Sequence, residues 1–363
     1  MAGILVHEWL AASGGSENVF EELIGIFPDA ERWCLWDDSG GRFRNVHETV
    51  LARTPMRRSK AAAVPFMPVV WRHLPSRQAD WVLCSSHLFA HHARFGGPAR
   101  EAQKFVYVHT PARYVWVPEL DGRGQGAASR IISSYLKPID RRRAQEAHSI
   151  AANSRFIADR IGATWEREST VIYPPVAIQG FMAEPRPLTP ADQGVVQGLP
   201  AEFILGVSRF IPYKRLDLVI ETGEAAGIPV VIAGSGPDEQ LLRERAAHSS
   251  VPVVVLHRPA DEVLGWLYRA ALAVVFAPIE DFGIVPVEAM AAGTPVIANA
   301  IGGAAESVVD GVTGVHVKEW TRDEMSAAVE RVTGIEASAC RERAKLFGPE
   351  TFAAAIAGWV GRS

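Results

Sequence analysis

Two glutamates, Glu280 and Glu288, stand eight positions apart in a segment whose other residues favour ligand binding. The segment follows an apolar run, residues 273–277, that predicts a buried strand. Gly283 lets a ligand approach the backbone closely, and Pro286 suits the first turn of a helix. We therefore expect Glu280 on a strand-to-helix loop and Glu288 one turn into the helix, at the edge where open parallel sheets bind ligands.

The same segment offers a site for an anion. Backbone N–H groups near Gly283 and Ile284 would be free at the start of the helix, where a negative charge is favoured. Two carboxylates beside such a site suit a sugar nucleotide, because its diphosphate accepts from N–H groups and its hydroxyls donate to carboxylates. From spacing alone, an ordinary loop acid followed by a surface glutamate of the helix is an open alternative.

Two cations, Arg209 and Lys214, follow the apolar strand pattern of residues 203–207. At the carboxyl end of that strand they could neutralise a diphosphate, and each charge-assisted hydrogen bond would contribute about 1.5–3 kcal/mol. A solvated basic loop is the alternative interpretation.

The first half of the chain has two weaker signals. Gly14 and Gly15 precede a helix-like segment, so their N–H groups could face a phosphate, although in isolation such a pair more often forms a plain tight turn. His109 ends the apolar run 105–108, and a neutral imidazole there could exchange a hydrogen bond with a sugar hydroxyl. A structural histidine is the alternative.

Gly234 to Pro237 contains only a Gly-x-Gly, with proline next and no third glycine. It also follows the second strand of its half, so we interpret it as a strand-to-helix turn and not as a dinucleotide fingerprint.

Residues 61–71 form an apolar stretch, and its basic border extends over residues 57–77. Trp71 and two prolines lie within the apolar stretch, and its flanking cations include Arg57, Arg58 and Lys60. Such a segment could rest on an anionic membrane surface, or it could be a buried helix–loop element with a charged border.

The bulk composition restricts the class of protein. A length of 363 residues predicts about two domains, and 48% hydrophobic residues are ample for buried cores. A net charge of −4 gives no general case for nucleic acid as a partner. The 3 cysteines are widely spaced, and we find no signal sequence and no apolar run that could span a bilayer. We expect a soluble cytoplasmic protein, at most peripheral to the inner face of the cell membrane.

Short apolar runs alternate with helical patterns in both halves, which predicts parallel α/β layers. We expect a Rossmann-like domain over residues 1–178, a Pro- and Gly-rich linker over 179–200 and a second Rossmann-like domain over 201–345. The apolar face of residues 346–363 predicts a final helix.

Taken together, these residues resemble a family 4 retaining glycosyltransferase with the GT-B fold, over nearly the whole chain. The segment from Glu280 to Gly293 matches that family's Glu-x7-Glu motif, and the residues that support it are Arg209, Lys214, Gly234 to Pro237, Gly302, Gly303, Glu306, Gly14, Gly15 and the stretch 109–116. That stretch, with Ser85-Ser86-His87 and residues 152–155, is similar to a narrower group of mannosyltransferases that build bacterial O-antigen and exopolysaccharide units. An acid usually follows the Tyr-x-Trp of this group, whereas Val117 and Pro118 stand here.

The resemblance implies two doubly wound domains that face each other across a cleft, with the last helix crossing back to the first domain. Arg209 and Lys214 would hold the donor diphosphate, Glu280 and His109 would meet the donor sugar, and Glu288 would accept from the ribose. The resemblance further assigns donor contacts to Gly14, Gly15, Gly283, Ile284, Leu256, His257 and Glu306, and acceptor contacts to Arg113, Tyr114 and Trp116.

The implied reaction transfers a hexose with retention, without a required metal or cofactor. We expect mannose from GDP-mannose, and a lipid-linked saccharide as acceptor. A UDP-sugar enzyme with a small soluble acceptor and a non-hydrolysing sugar-nucleotide epimerase are alternatives within the fold. A nicotinamide-dependent oxidoreductase is disfavoured, because the sequence has no full Gly-x-Gly-x-x-Gly fingerprint after the first strand of either domain. A non-catalytic binding module is disfavoured because Arg209, Lys214, Glu280 and Glu288 are all present.

Overall fold

The computed structural model describes residues 2–117 and 127–361. The chain divides into two compact units. Unit 1 comprises Met1–Pro175 and Phe352–Ser363, and unit 2 comprises Val176–Thr351.

The strands of the described residues, in chain order, are Gly3–His7 (β1), Leu10–Ala11 (β2), Glu31–Cys34 (β3), Asp37–Asp38 (β4), Val46–Glu48 (β5), Trp81–Ser86 (β6), Gln103–Val108 (β7), Ser149–Ala152 (β8), Thr170–Val171 (β9), Ile204–Arg209 (β10), Val230–Ser235 (β11), Val253–His257 (β12), Ala273–Phe276 (β13), Val296–Asn299 (β14) and Gly314–Val317 (β15).

The α-helices are Gly15–Ile26 (α1), Lys60–Ala63 (α2), Met67–Trp71 (α3), Arg113–Trp116 (α4), Ala127–Ala144 (α5), Arg155–Trp165 (α6), Gln179–Met182 (α7), Pro190–Gln197 (α8), Leu216–Ala226 (α9), Glu239–Ala247 (α10), Asp261–Ala270 (α11), Ile284–Ala292 (α12), Ala304–Ser307 (α13), Arg322–Val332 (α14), Ala337–Lys345 (α15) and Pro349–Gly361 (α16). Short 3-10 turns occupy Val50–Arg53, Pro55–Arg58, Ala90–His92, Gly97–Arg100 and Pro212–Lys214.

The sheet of unit 1 is parallel, with the strand order β5-β3-β1-β6-β7-β8-β9. Its strands are buried on both faces because alternate side chains enter two separate cores. Leu5, Leu83 and Phe105 pack on the side of α1 and α16, whereas Val6 and Val106 pack on the other side with Trp71 and Trp165.

Unit 2 repeats the same plan with a parallel sheet in the order β12-β11-β10-β13-β14-β15. Counted within each unit, the strands of the unit 1 sheet have the order 3-2-1-4-5-6-7 and those of the unit 2 sheet the order 3-2-1-4-5-6. The shared order 3-2-1-4-5-6 is that of doubly wound nucleotide-binding folds. The predicted α/β fold class is confirmed. In each sheet, the first three strands in chain order extend toward one edge and the later strands extend toward the other edge. The change occurs between the neighbouring strands β1 and β6 in unit 1 and between β10 and β13 in unit 2.

The segment 179–200, which we predicted as a linker, lies within unit 2 and contains two helices. The Pro residues misled the prediction because Pro190 begins α8, where a proline is well tolerated, and Thr189 caps that helix by accepting from Asp192 N at 3.2 Å. The turn predicted at Gly234 to Pro237 leads into α10, which begins at Glu239, and Asp238 N donates to Phe210 O at 3.1 Å.

The predicted final helix forms α16, and its residues from Phe352 onward belong to unit 1. Phe352 and Ile356 are buried in the core of unit 1, and Trp359 Nε1 donates to Ser149 Oγ at 2.7 Å. The C-terminal segment thus contributes to the core of the unit that is formed mainly by the first half of the chain.

Across the described ranges 2–117 and 127–361, no helix combines the length and the apolar character that crossing a bilayer requires.

Candidate functional site

The loops that follow β10 and β13 carry the principal charged residues of unit 2. Because β10 and β13 are neighbours at the point where the strand order changes direction, their carboxyl ends open side by side. Arg209 ends β10, Lys214 lies in the turn after it, and Glu280 lies in the loop after β13.

Lys214 Nζ forms an ion pair with Glu280 Oε1. The two side chains are 14% and 18% exposed, so little water screens the pair. Arg209, by contrast, is exposed, and within the described part of the chain no carboxylate pairs with it. The structure therefore brings together the predicted phosphate-binding lysine and the predicted sugar-binding glutamate, with a second cation on the adjacent strand end.

The backbone around Glu280 is held from two sides. Tyr213 donates its hydroxyl to Ile279 O at 2.8 Å, and Gly303 N donates to Glu280 O at 2.8 Å. A Cβ on Gly303 would lie 2.3 Å from Asp281 O, so only glycine permits this approach. These contacts fix the loop that presents the Glu280 carboxylate.

Glu288 lies in α12 and shares a hydrogen bond with a buried tyrosine. Tyr268 Oη donates to Glu288 Oε2 at 2.8 Å, and Tyr268 is fully buried in the neighbouring α11. Burial raises the pKa of the Glu288 carboxyl, and the Tyr268 hydroxyl opposes that shift. One carboxylate oxygen is thus fixed by the protein, which leaves Oε1 as the oxygen that can accept from a ligand.

Gly283 precedes α12 and has φ of 87°, a conformation that favours glycine. A Cβ there would lie 3.2 Å from the Phe276 ring. Ile284 is the first residue of α12, so its N–H belongs to the unpaired set at the start of that helix.

Three further residues that were predicted to contact the donor substrate lie on other elements of unit 2. Leu256 and His257 end β12, and His257 Nδ1 lies 2.5 Å from Glu239 Oε2. Arg258 follows, and its N–H donates to Gly234 O at 2.8 Å, so the end of β12 adjoins the glycine turn after β11. The short helix α13 follows Gly302 and Gly303 directly. Glu306 lies in this helix, and its backbone carbonyl accepts a hydrogen bond from Arg343.

In unit 1, Gly14 and Gly15 stand at the start of α1. The buried Glu17 side chain lies beside them, and a Cβ on Gly14 would come within 2.1 Å of Glu17 Oε2. Glu17 Oε1 also accepts from Ala11 N at 3.3 Å. A carboxylate therefore adjoins the predicted phosphate position, so a phosphate there would have to overcome like-charge repulsion.

His109 lies just beyond β7, and its Nε2 is 2.8 Å from Ser85 Oγ. The same hydroxyl lies 3.0 Å from His7 Nδ1, and His87 contacts both imidazole rings. Burial lowers the pKa of His109 to about 4 and that of His87 to about 3, and it lowers the pKa of His7 well below its usual value. These imidazoles are neutral at pH 7.

The predicted acceptor residues Arg113, Tyr114 and Trp116 form the short helix α4. Trp116 Nε1 donates to Asp140 Oδ2 at 2.7 Å, and Ser133 Oγ donates to Tyr114 O at 3.1 Å. Both partners lie on α5, so that helix fixes α4.

Asp140 is a buried carboxylate that the sequence did not predict as functional. Its Oδ2 accepts from the indoles of Trp116 and Trp165, each at 2.7 Å. His91 Nε2 and His92 Nε2 each lie 3.1 Å from its Oδ1. The two histidines and Asp140 are of metal-ligand type. His92 and the two indoles hydrogen-bond the carboxylate, whereas His91 Nε2 lies beside it without a hydrogen-bond partner among the described residues.

The 57–77 segment forms two short helices whose inner side is buried and whose outer side exposes Phe66 and Val69. Most of its basic border is paired within the protein. The pairs are Arg57 with Asp38, Arg72 with Glu146 and Arg77 with Glu31, and Lys60 Nζ lies 4.2 Å from the Trp9 ring centroid.

Tyr268, Asp140, Ser85 and His7 are among the residues at these sites to which the sequence analysis gave no role. Ser85 and His7 each carry one available signal, because both lie at the carboxyl end of an apolar run. Tyr268 and Asp140 carry none, since each lies inside a helix and belongs to no recognisable motif.

Residues 196–346 match the family model described as glycosyl transferases group 1. The D-inositol 3-phosphate glycosyltransferase of Nocardiopsis dassonvillei is 32% identical over 238 residues, which cover 59% of this chain and 53% of that protein. A glycogen synthase of Mycobacterium tuberculosis is 37% identical over 118 residues, 32% of this chain and 28% of that protein. The chain spans about half the length, or less, of these curated relatives.

Two solved structures share the fold over almost the whole chain. HepE from Anabaena, in complex with UDP-glucose, has a TM-score of 0.71 and 19% identity, covering 99% of this chain and 100% of that one. The apo lipopolysaccharide outer core galactosyltransferase WaaB has a TM-score of 0.70 and 17% identity, covering 100% of this chain and 99% of that one. The chain is therefore a GT-B protein similar to family 4 glycosyltransferases, with its group 1 segment in unit 2.

Proposed function

We propose that this protein is a retaining glycosyltransferase that moves a hexose from a nucleotide-diphosphate sugar to an acceptor hydroxyl. The observation that carries the proposal is the Lys214–Glu280 ion pair, which lies at the ligand-binding edge of unit 2 and within the matched segment. Such a pair suits a ligand whose phosphate binds the lysine ammonium and whose hydroxyls donate to the glutamate carboxylate.

Donor binding exchanges the partners of this pair. The diphosphate competes with Glu280 for the Lys214 ammonium, and Arg209 supplies a second cation. Glu280 is then free to accept from hydroxyls of the sugar. Glu288 Oε1 accepts from the ribose, since Tyr268 already occupies Oε2.

The chemical step breaks the bond between the anomeric carbon and the β-phosphate oxygen. The acceptor oxygen forms the new bond on the same face of the sugar, and its proton passes to the leaving phosphate. Negative charge grows on that phosphate in the transition state, so Lys214 and Arg209 stabilise the transition state more than the ground state. In this scheme the two cations perform the role of a metal ion, and no metal is required.

GDP-mannose is the donor that the sequence resemblance favours. UDP-glucose is the second candidate, because the similar fold of HepE is known in complex with it. A pocket wall near Leu256 and His257 would contact the base in either case.

The proposed acceptor is a lipid-linked saccharide used in cell-surface polysaccharide synthesis, held by the α4 residues Arg113, Tyr114 and Trp116. A peripheral membrane contact through residues 57–77 would bring such an acceptor close. This contact would depend on exposed Phe66 and Val69 more than on charge, because Arg57, Arg72 and Arg77 are paired internally. A soluble acceptor is the alternative.

The test incubates the protein with GDP-mannose, UDP-glucose or UDP-N-acetylglucosamine, with and without a polyprenyl-diphosphate-linked saccharide, and follows products by mass spectrometry. Acceptor-dependent release of nucleoside diphosphate, unaffected by EDTA, is the expected result. An epimerised donor formed without acceptor would identify an epimerase instead. Reduction of NAD in a parallel incubation would identify an oxidoreductase.

A further inference from the structure

One serine hydroxyl, Ser85 Oγ, lies between two imidazoles at the carboxyl end of the unit 1 sheet. His7 pairs with Ser85 in the sheet, Ser85 pairs with Tyr107, and His109 lies two positions beyond Tyr107. Because side chains alternate along a strand, His7, Ser85 and His109 share one face of the sheet. The hydroxyl lies 3.0 Å from His7 Nδ1 and 2.8 Å from His109 Nε2.

A hydroxyl carries a single proton, which limits how these contacts can be made. Ser85 can donate to only one of the two imidazoles, so the other imidazole must donate its own N–H to Ser85. Two arrangements are possible. Either Ser85 donates to His109 and receives from His7, or it donates to His7 and receives from His109.

The surroundings of His7 favour the first arrangement. His7 is fully buried, and its Nε2 has no hydrogen-bond partner among the described residues. If Ser85 donated to His7 Nδ1, the neutral ring would carry its proton on Nε2, as a buried N–H without an acceptor. Stacking on Phe20, with ring centroids 4.9 Å apart and planes at 26°, offers that N–H no acceptor either.

The distances agree with that choice. With an oxygen acceptor, hydroxyl donors have typical separations of about 2.7–2.8 Å and N–H donors about 2.9–3.0 Å, and the full ranges overlap. The contact to His109 has the shorter length and the contact to His7 the longer one.

We infer that Ser85 is a positioning residue that fixes neutral His109 in its Nδ1-protonated tautomer. His109 then presents an N–H donor, and not a lone pair, from the ring nitrogen that Ser85 leaves unoccupied. Burial lowers the pKa of His109 to about 4, so its ring is neutral at pH 7. A neutral donor can hold a sugar hydroxyl without placing a positive charge beside an oxocarbenium-like transition state. This consequence for catalysis rests on the function proposed above, whereas the tautomer does not.

The chain offers a matched control in the next residue. Ser86 is equally buried, but it faces the opposite side of the sheet, where its hydroxyl lies 3.1 Å from His91 Nδ1 and 3.4 Å from Glu8 Oε1. Ser86→Ala therefore removes a buried hydroxyl from the same strand without touching His109.

The test reads the His109 tautomer by two-bond 1H–15N correlation spectra of the 15N-labelled protein at pH 7, without ligand, with the signals assigned through a His109→Gln variant. The expected spectrum has protonated Nδ1 and unprotonated Nε2 in the wild type and in Ser86→Ala. It becomes a tautomer mixture in Ser85→Ala. A wild-type His109 protonated on Nε2 would overturn the inference, and so would an unchanged tautomer in Ser85→Ala.

Kinetics then test the consequence. Ser85→Ala should lower kcat about tenfold with the donor KM changed by less than about threefold, while Ser86→Ala stays within about twofold of the wild type. Equal kcat values for the two variants would reject the positioning role. If no sugar nucleotide is turned over, the proposed function fails, and the ligand-free spectra still decide whether the tautomer is correct.

Discussion

At the equivalent position of their sheets, unit 2 carries an ion pair and unit 1 carries a hydrogen bond between neutral side chains. At the change of direction between β10 and β13, unit 2 places Lys214 against Glu280, with exposed Arg209 nearby. At the equivalent point between β1 and β6, unit 1 places neutral His7 against Ser85. The contact in unit 2 joins two charged side chains, whereas the contact in unit 1 joins two neutral hydrogen-bonding groups.

This difference follows from burial and indicates a division of roles. Charges persist in unit 2 because each has a partner or water, whereas the histidines of unit 1 lose their protons where water is excluded. A charged edge suits a diphosphate, and a neutral edge suits sugar hydroxyls. The fold is shared, so the ligands must be distinguished by these side chains and not by topology.

The largest effect should come from removing the cation of the charged edge. Lys214→Ala should lower kcat by about 10²–10³, because the growing phosphate charge loses one fixed donor. Steady-state kinetics measure this, with Lys345→Ala as the control for losing an ion-paired lysine of unit 2 remote from the site. A kcat for Lys214→Ala close to that of Lys345→Ala would remove the charged edge from catalysis.

Acidification should destabilise unit 1 before unit 2. His7, His87, His92 and His109 have pKa values lowered by burial, to about 4 for His92 and His109, so the unfolded chain binds their protons more readily. Their stabilisation is complete above pH 6.5 and is lost as the pH falls toward 4, by about 1.4 kcal/mol per pH unit for each histidine. Glu8 opposes this loss, since burial raises its pKa to about 7 and its contribution grows as the pH falls from 7 to 4.5.

Hydrogen exchange at pH 7 and pH 5, corrected for intrinsic rates, measures the effect in each unit. We expect protection to fall more in unit 1, and His92→Gln to flatten the pH dependence relative to exposed His73→Gln. Earlier loss of protection in unit 2 would show that buried histidines do not govern acid stability.

Glu288→Gln should weaken donor binding with a smaller effect on turnover. The variant loses a charged acceptor for the ribose, and we expect the donor KM to rise about tenfold, or about 1.4 kcal/mol. Tyr268→Phe should raise it about threefold, because the carboxylate remains but is less well fixed. Glu330→Gln, on the exposed side of α14, is the control. A donor KM that Glu288→Gln leaves unchanged would assign Glu288 to structure alone.

Charge at the 57–77 segment should make a modest contribution to membrane binding. Arg58 is exposed and Arg57 is paired with Asp38, so Arg58→Glu should weaken binding to anionic vesicles by only about 1–2 kcal/mol. Phe66→Ser should weaken it more if apolar contact dominates. Co-sedimentation with phosphatidylserine vesicles compares the two. Equal retention of both variants and the wild type would exclude this surface as a membrane contact.

The residues of the charged edge could be predicted from the sequence because they form two local patterns. Glu280, Gly283 and Glu288 lie within one loop and one helix, and Arg209 and Lys214 follow one strand. The Lys214–Glu280 contact spans 66 positions and the His7–Ser85 contact spans 78, but His7 and Ser85 belong to no local pattern of this kind. Asp140 meets His92 across 48 positions, where α5 packs against the turn Ala90–His92. Local composition also failed at 179–200, where prolines that suggested a linker begin and flank helices.

Calorimetric titration with GDP-mannose, UDP-glucose and NAD tests most directly whether unit 2 binds a sugar-linked diphosphate through the Lys214–Glu280 pair. We predict that one of the two sugar nucleotides binds the wild type, that NAD does not, and that Lys214→Ala weakens the binding at least about tenfold while Lys345→Ala leaves it unchanged. Equal affinity of the wild type and Lys214→Ala for that sugar nucleotide, or binding of neither, would contradict the account.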